Sequence, residues 1–473
     1  MKILFPNRIS MTSINTHSRQ GLTVICIAAF LVPFMGSALN LALPEIGKAF
    51  SLNAVMLTWL ATVYLISTAV FQIPFARIAD IVGRKKIFVC GVALFSLSCF
   101  LCAFARSGFA LLALRFVSGI GSSMMMSTNI AILSSLFPPE KRGKALGINV
   151  AVVYAALAVG PFFGGILTYY FGWQSIFYGT AGAGIVVLVL THIFLRSEWI
   201  ESRGEPFDTW GALLYGTALA ALIYGFSSLP ALSGFLCLAA GVGLFVYFYM
   251  YERRHQFPVF NVQLFSKNRS FALSSLAALI NYAATAAIAF MLSLYLQYVR
   301  GLNPQTAGLI LISQACVQSV FSLIAGSLSG RMEPSKMATM GMSIIVAGLC
   351  GLIFISTSTP YWVIIGLLVC LGVGFGMFSS PNTNVIMSSV EKKQYSQASA
   401  TTGTMRLAGQ AFSMGIAGMC ISFYIGSNDI AHKLPEFLQS MRMTCIIFAL
   451  LCVVGVYASM ARIEKKKQGT AKC

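Results

Sequence analysis

The chain has 473 residues, of which 57% are hydrophobic and only 10% are charged, and its formal net charge is +19 at pH 7. This composition excludes an ordinary soluble chain, which would show near-average polarity. Apolar runs near the ~20 residues that cross a bilayer as a helix recur from end to end. Backbone groups in hydrocarbon must be bonded internally, so these runs predict helices, and the alternating ten-residue pattern of a membrane barrel is absent from the sequence.

The apolar runs predict fourteen transmembrane helices. Their approximate ranges are 21–43, 54–75, 87–105, 109–134, 145–169, 174–195, 210–228, 231–250, 271–298, 304–329, 337–357, 361–382, 397–425 and 440–461. The first run is longer than the apolar core of a signal peptide and follows a polar leader, which favours a retained helix. Because fourteen is even, both chain ends are expected on one side of the membrane.

Lysine and arginine are distributed unevenly between the two sides. Under this topology, 25 of the 32 Lys and Arg residues lie in loops or tails on the side of the chain ends, and five lie in the opposite loops. The other two, Arg115 and Arg406, lie within spans. Excess positive charge marks cytoplasmic loops. We therefore expect a multi-pass cell-membrane protein with both termini in the cytoplasm, whose basicity reflects topology and not a nucleic-acid partner.

The reactive side chains do not form an enzyme-like pattern. Nearly all of the 12 cysteines lie in the predicted spans, and no outward loop holds a pair, so we expect small buried side chains and no disulfide framework. The four histidines are scattered, and no phosphate-binding loop is found. These observations argue against an enzyme, a metal site and a cofactor.

The stretch "FARIADIVGRKK" (75–86) concentrates charge between two uncharged runs. A cytoplasmic loop explains its basic residues but not Asp80 or Gly83. The i, i+4 spacing of Asp80 and Arg84 permits an ion pair, and Gly83 permits a tight reversal between two helices. With Arg77 and Lys85, these residues are the predicted conformational gate.

Four motifs in chain order resemble those of the major facilitator superfamily. "ARIADIVGRKK" resembles its loop signature, with Ala76 where the first glycine usually stands. "LRFVSGIGSS" (114–123) is similar to the fourth-helix motif, "GPFFGGILTYYFGWQSIF" (160–177) to the fifth-helix antiporter motif, and "NLALPEI" (40–46) to the end of the first helix. With fourteen spans, the chain resembles the fourteen-helix drug:proton antiporter branch.

Internal repetition supports this resemblance. "GSLSGRMEPSK" (326–336) follows the tenth span as the charged stretch follows the second, although Gly330 stands where the first copy has Asp80. "GVGFGMFSS" (372–380) echoes the fourth-helix motif. We expect an all-α membrane protein with the major facilitator fold, in which two six-helix halves are related by an axis along the membrane normal and two linker helices stand between them in the chain.

The predicted boundaries follow from this arrangement. They are a cytoplasmic leader (1–20), a first half (21–195), a linker with two transmembrane helices (196–250), a cytoplasmic loop (251–270), a second half (271–461) and a basic cytoplasmic tail (462–473).

The fifth span contains small residues and a proline. Gly160, Gly164 and Gly165 give a face for close helix contact, and Pro161 removes a backbone donor and bends the helix. In the resembling family this region controls the bend between inward-open and outward-open states, so these four residues are the predicted helix-bend motif.

Polar groups within the spans are candidates for the substrate path. A charged arginine at mid-membrane is expensive to insert, so Arg115 and Arg406 are expected to face a cavity or a partner. The neutral candidates could equally connect neighbouring helices. They are Tyr64, Gln72, Asn129, Asn149, Tyr154, Asn281, Gln314 and Gln318.

All 13 acids lie at span ends or in loops. Drug antiporters of the resembling branch often carry an aspartate five residues before the asparagine of "NLALP", where this chain has Met35. Without a buried acid, the cavity should be neutral to positive, and we expect a neutral or weakly acidic amphiphilic substrate.

These features predict a monomeric secondary transporter in the lipid bilayer, an exporter of amphiphilic compounds by alternating access, with protons as a candidate coupling ion. One alternative is the transport of a specific metabolite. A second is a membrane sensor that no longer transports, although the longest loop, of about twenty residues, leaves no room for a soluble sensor domain.

Overall fold

The computed structural model describes residues 11–229, 231–260, 262–328, 332–390, 395–426 and 429–470, and these contain helices and no strands. The helices are α1 Met11–Phe50, α2 Ala54–Val82, α3 Arg84–Cys102, α4 Gly108–Leu136, α5 Pro139–Phe171, α6 Gln174–Phe194, α7 Thr209–Ser227, α8 Leu232–Glu252, α9 Gln263–Lys267, α10 Arg269–Ala283, α11 Ile288–Leu294, α12 Pro304–Leu328, α13 Pro334–Ile353, α14 Tyr361–Ser388, α15 Tyr395–Tyr424 and α16 Leu434–Thr470. A π-helical turn, Tyr295–Val299, continues α11, and a 3-10 turn covers Ile430–His432.

Fourteen candidate membrane spans occur in the described part of the chain, which confirms the predicted number. The ends differ from the predicted boundaries. The first helix begins at Met11, inside the predicted leader, whose first ten residues lie outside the described residues. The last helix continues to Thr470 through most of the predicted tail, and residues 471–473 lie outside the described part. Gly330, the counterpart of Asp80 in the second half, also lies outside it.

The ninth span differs from the continuous helix predicted over 271–298. It is broken between α10 and α11, at residues 284–287. No proline causes the break. The Thr285 hydroxyl donates to the Asn281 carbonyl at 2.5 Å, and the Ala287 amide donates to Ser413 Oγ on α15 at 2.9 Å. A hydroxyl from another helix thus replaces a bond within the helix, which is how broken helices are tolerated in a membrane.

The two halves repeat the same packing. In the first half α3 packs against α4 and α6, and α2 packs against α4. In the second half α13 packs against α14 and α16, and α12 packs against α14. Two seams join the halves, α5 with α12 and α2 with α15, and the internal two-fold repeat exchanges these seams. This arrangement confirms the major facilitator fold with two linker helices. We call the membrane side at which α1 begins and α16 ends the terminal face.

The linker helices α7 and α8 form an antiparallel pair, the linker hairpin. Their backbones approach closely, because a Cβ at Gly225 would lie 2.8 Å from the Leu238 amide nitrogen. The hairpin packs through α7 on both α2 and α15. Tyr215 donates to the Ala69 carbonyl at 3.2 Å, and Phe226 stacks edge-on against Phe412. The linker hairpin therefore covers one of the two seams between the halves.

Candidate functional site

The turn between α2 and α3 carries a set of ion pairs on the terminal face. Arg84 is 3% exposed and donates from Nε to Asp80 Oδ1 at 2.8 Å, so the ion pair predicted from the i, i+4 spacing is present. The same guanidinium contacts Glu201 Oε1 at 2.7 Å and donates to Ser135 Oγ at 2.9 Å. Arg84 therefore connects α2 and α4 with the segment that follows α6.

That segment, residues 195–208, lies across the α2–α3 turn, and we call it the strap. The amides of Glu201 and Ser202 donate to the Asp80 carbonyl at 3.1 and 2.9 Å. In return, the Arg84 amide donates to the Trp199 carbonyl at 3.0 Å. These bonds satisfy backbone groups at a helix end and a helix start, which would otherwise lack partners. The strap thus covers the α2–α3 turn as a third backbone segment.

Acidic side chains of the strap complete the cluster. Glu205 pairs with Arg77 at 2.5 Å, and Glu198 accepts a hydrogen bond from the backbone amide of Lys85 at 2.8 Å. These acids were predicted only as loop residues, and their contacts with the α2–α3 turn were not predicted. A usable signal was present, because three glutamates follow the sixth span on the side of the most basic loop.

Gly83 ends α2 and begins α3 with a φ of +132°. Residues with a Cβ rarely adopt this backbone conformation, and only glycine adopts it without strain. Space is limiting as well, since a Cβ at this position would lie 2.7 Å from Glu198 Cδ. The predicted reversal is therefore present, and it is closed from outside by the strap.

A cleft lies beside this turn, between α2 and α4 of the first half and α15 of the second. It brings together Asp80, Gln72 and Arg406, which were predicted separately, and Ser127 and Thr404 also line it. Gln72 Oε1 and Thr404 Oγ1 are buried and have no hydrogen-bond partner among the described residues. The cleft therefore offers an arginine and unsatisfied neutral groups to a bound molecule.

Tyr154 of α5 connects the two halves deeper in the protein. Its hydroxyl lies 3.2 Å from the hydroxyl of Tyr282 on α10 and also bonds to Ser379 Oγ on α14. Asn281, beside Tyr282, is fully buried, and neither its Oδ1 nor its Nδ2 has a partner in the described part of the chain. The helix break begins only a few residues later. Neither Tyr282 nor Ser379, which lies in the echo motif 372–380, was predicted as a partner of Tyr154, because both are more than a hundred residues away along the chain.

Arg115 of α4 lies within the first half and does not line the cleft. It is 1% exposed, its Nε lies 3.5 Å from the Leu60 carbonyl, and its guanidinium lies 4.3 Å from the centre of the Tyr64 ring. Tyr64 in turn bonds to the Val32 carbonyl at 3.2 Å and to Ser122 Oγ at 3.0 Å. One guanidinium nitrogen of Arg115 has no partner among the described groups. The structure thus places Arg115 and Tyr64, two separate candidates for the substrate path, in the packing of α1, α2 and α4.

The remaining path candidates are distributed among helix contacts. Asn129 donates to the Ile25 carbonyl at 3.2 Å and connects α4 to α1. Asn149 is buried, and its Oδ1 is unpaired within the described residues. Gln314 and Gln318 are half-buried on α12, where their backbones contact Gly372 of α14. None of these four lines the cleft described above.

The cysteines that the structure describes are all free thiols. Cys99 and Cys102 of α3 have a CxxC spacing, but both are fully buried in the core beside Arg115. No group of three or more His, Cys, Asp or Glu that could hold a metal occurs within the described ranges.

The seam between α5 and α12 is built from small residues. A Cβ at Gly308 would lie 2.5 Å from the Pro161 carbonyl, and a Cβ at Gly165 would meet the Pro304 carbonyl. Both helices thus present the same Pro-x-x-x-Gly pattern to each other in antiparallel fashion. We call this contact the small-residue seam. On the other side of α5, Gly164 meets the Ala38 carbonyl of α1 at 2.6 Å from its hypothetical Cβ.

Direct bonds also join the halves at the face opposite the terminal face. Ser293 of α11 donates to the Asn40 carbonyl at 2.8 Å, and Gln297 donates to the Leu41 carbonyl at 3.3 Å. These contacts hold the end of α1 against the end of the broken ninth span. The halves are therefore connected at this face, while the cleft lies at the other.

The family model described as Major Facilitator Superfamily matches residues 25–266 and 207–414 of the chain. The chain belongs to this superfamily. Its fourteen candidate spans place it in the fourteen-helix branch, and members of the superfamily are transporters and not enzymes.

Several curated members of the superfamily are similar along most of their length. The riboflavin transporter RibZ of Clostridioides difficile is 28% identical over 94% of this chain and 97% of that protein. The multidrug resistance protein Stp of Mycobacterium tuberculosis is 29% identical over 87% of this chain and 78% of its own length. The methylenomycin A resistance protein of Bacillus subtilis is 28% identical over 85% of this chain and 88% of its length.

Solved structures of the superfamily share the fold. A bacterial homologue of the human lysosomal transporter Spinster, in an inward-facing and unoccupied conformation, has a TM-score of 0.68 to this transporter. The match covers 96% of this chain and 97% of the other at 16% identity. At this identity the likeness supports the fold alone.

Proposed function

We propose that this transporter exports neutral or weakly acidic amphiphilic compounds across the cell membrane by alternating access, as a monomer with proton antiport. The observation that carries the choice of substrate is the charge of the cleft. Its charged lining residues in the described structure are Asp80, which is already paired with Arg84, and Arg406. Because Arg406 is the charge left without an ion pair among the described residues, the field in the cleft is positive. A positive field repels organic cations and accepts neutral or anionic groups.

The position that carries an aspartate in many drug antiporters of this branch supports the same proposal. Met35 occupies it, is fully buried and lies against Thr180 of α6. Cationic drugs therefore have no carboxylate to meet there. The relatives that carry the name of multidrug or methylenomycin A resistance proteins support export, and the proposed cytoplasmic terminal face follows from the excess of Lys and Arg on that side.

The charge cluster and the two seams support alternating access. In the described conformation the halves are bonded at the face opposite the terminal face, and the cleft lies at the terminal face beside the α2–α3 turn. We assign Asp80, Gly83, Arg84, Arg77 and Lys85 to a gate at that face. Gly160, Pro161, Gly164 and Gly165 allow α5 to change its contact with α12 as the gate opens.

Transport in proteoliposomes tests the proposal. The purified protein would be reconstituted with and without a pH gradient and supplied with three probes: riboflavin as a neutral compound, a fluorescent carboxylic acid, and a permanent dication. We expect flux of the neutral or acidic probe to exceed that of the dication by at least about tenfold, which corresponds to roughly 1.4 kcal/mol. Equal rates for the dication would overturn the proposed substrate class.

Arg406 offers a matched pair of variants for the same assay. Arg406→Ala should reduce flux of the acidic probe more than flux of riboflavin, whereas Arg406→Lys keeps the positive charge and should retain most of both. An unchanged ratio between the two probes in Arg406→Ala would show that this arginine does not face the substrate.

A second candidate function is the transport of one specific metabolite. The similarity to RibZ, which extends over 94% of this chain, favours it, because RibZ is named for the transport of a single metabolite. Riboflavin is also a neutral compound, which fits the charge of the cleft. Competition separates the two candidates. A specific transporter would show saturable riboflavin flux that chemically unrelated amphiphiles leave unchanged, whereas an exporter of amphiphiles would show mutual inhibition.

A further inference from the structure

The linker hairpin ends on the terminal face in two buried acids, so the expectation of a chain without a buried acid is wrong. Asp208 precedes α7, and its Oδ1 accepts hydrogen bonds from the Gly211 amide at 2.8 Å and from the Tyr251 hydroxyl at 3.2 Å. Glu252 ends α8 and accepts hydrogen bonds from the amides of Val259 and Phe260, each at 3.3 Å. Asp208 is 6% exposed and Glu252 is 2% exposed. Acids this buried are unusual unless they are paired with a base or a proton.

One oxygen of each acid points into the same small space. A Cβ at Gly211 would lie 2.5 Å from Glu252 Oε1 and would also meet Asp208 Oδ2. Asp208 Oδ2 has no hydrogen-bond donor among the described residues. Two buried carboxylates that border the same small space disfavour the doubly ionised state, which favours one proton shared between them.

His255 approaches the same oxygen from the loop after α8. Its Nδ1 lies 3.6 Å from Asp208 Oδ2, and its ring stacks on Tyr251. Within the described residues, His255 Nδ1 has no hydrogen-bond partner either. Two facing atoms that both lack a partner are satisfied by a single proton, because protonation of either one turns it into the donor for the other.

Other charged or titratable groups reach this space from the neighbouring elements. Arg77 of α2 lies within electrostatic range of Glu252 and is already paired with Glu205 of the strap. Tyr247 of α8 lies beside Tyr251. Arg253 and Arg254 follow α8 directly but are exposed to solvent. Arg77 is thus the one of these cations that lies both near the acids and in the charge cluster of the α2–α3 turn.

We propose that Asp208, Glu252 and His255 form a proton-binding site at the base of the linker hairpin, which holds one proton among its facing oxygens and imidazole nitrogen. Loss of this proton adds a negative charge within electrostatic range of Arg77. This charge competes with Glu205 for the Arg77 guanidinium. Because α7 packs on both α2 and α15, the site lies where the hairpin covers the seam between the halves. The inference concerns proton binding alone, so it stands or fails independently of the proposed substrate and of the direction of transport.

The stability of the purified full-length protein in detergent tests the site without any substrate. A proton held by the folded state and released from the unfolded chain makes stability fall as pH rises. The melting temperature of the wild type should therefore decrease as the pH is raised through the neutral range. Glu252→Gln and Asp208→Asn should flatten this decrease, because neither amide can release the proton.

Asp429→Asn is the matched control. Asp429 also caps a short helix, with Oδ1 accepting from the Ala431 amide at 3.2 Å, but it is exposed. This variant should keep the pH dependence of the wild type. If Glu252→Gln and Asp208→Asn instead keep the same decrease as the control, the proton-binding site is excluded.

Infrared difference spectra between the acidic and alkaline forms provide a second readout, which also applies if one variant is too unstable to melt cooperatively. The wild type and Asp429→Asn should lose a protonated-carboxyl band as pH rises, and the band should be missing in Asp208→Asn or Glu252→Gln. His255→Gln should shift the pH at which the band disappears. An unchanged band in both acid variants would overturn the assignment.

Discussion

The two seams that join the halves exchange under the internal repeat, yet they are built differently. The α5–α12 seam is made of backbone contacts, in which Gly308 meets the Pro161 carbonyl and Gly165 meets the Pro304 carbonyl. The α2–α15 seam contains a cleft with Gln72 and Arg406 and is covered by the linker hairpin. One seam is therefore closed by shape, whereas the other carries polar and charged groups.

This difference shows how a repeated fold divides its tasks. Close packing of glycine against a carbonyl leaves no space for a side chain, so the small-residue seam is suited to sliding or bending contact. The other seam ends at the α2–α3 turn, whose ion pairs have a bistable character if Arg84 and Arg77 exchange partners. The insertion of the linker hairpin on one seam alone makes the halves inequivalent.

The largest effect is expected at the small-residue seam. Gly308→Leu would place a branched side chain where even a Cβ lies 2.5 Å from the Pro161 carbonyl. Overpacking costs roughly 1–3 kcal/mol, and here the neighbour is a backbone atom that cannot rotate away. We expect a lower melting temperature and the loss of most transport, measured on purified protein and in proteoliposomes.

Gly366→Leu on α14 and Gly182→Leu on α6 are the controls for this variant. Both glycines are helical and have nothing within 4 Å of a hypothetical Cβ. They should keep the stability and flux of the wild type. A Gly308→Leu protein that behaves like these controls would remove the contrast between the two seams.

The second prediction concerns the α2–α3 turn, at the charged end of the α2–α15 seam. Asp80→Asn removes one of the two carboxylates that pair with the buried Arg84 guanidinium, and Gly83→Val forces a branched residue into a φ of +132° against Glu198. Both variants should insert into the membrane but transport much more slowly, because Asp80→Asn removes an ion pair from the charge cluster and Gly83→Val distorts the turn against the strap. Surface labelling and flux measured on the same vesicles separate insertion from transport. Normal flux in both variants would mean that residues 75–86 set only the orientation of the helices in the membrane and do not act in transport.

The third prediction concerns a residue that belongs to neither seam. Arg115 is buried between Leu60 and Tyr64, so Arg115→Ala leaves a cavity inside the first half. We expect gradient-driven flux to be abolished, while Arg115→Lys keeps the charge near the Tyr64 ring and retains part of it. Flux with and without a pH gradient gives the result. Full activity of Arg115→Ala would restrict the functional machinery to the seams and the gate.

The fourth prediction perturbs the protein least and concerns the orientation of the two seams relative to the membrane. In a background without other accessible cysteines, a cysteine introduced at position 392 or the natural Cys473 should react with an impermeant reagent from the cytoplasmic side only. A cysteine at position 433 should react from the outside only. Both Lys392 and Cys473 lie outside the described residues, so this test rests on the count of spans. Labelling of position 392 from outside would contradict the fourteen-span topology.

Several features of the candidate site could be read from local spacing. The Asp80–Arg84 pair and the reversal at Gly83 are set by residues within one helical turn, and both are present in the structure. Glu201 and Glu205 were not predicted as partners, because they lie more than a hundred residues away along the chain. Gly308, Tyr282 and Ser379 were missed for the same reason.

The sequence by itself determined the fourteen membrane-spanning helices, because hydropathy and length act on each segment separately and water-free surroundings leave no other backbone structure. It also determined the repeat and the charge asymmetry of the loops. Only the tertiary structure decided which polar residues meet. It placed Arg115 inside one half and Arg406 in the cleft, broke the ninth span against Ser413, and joined Asp208 with Glu252. Such contacts depend on the packing of distant helices, which a local pattern does not encode.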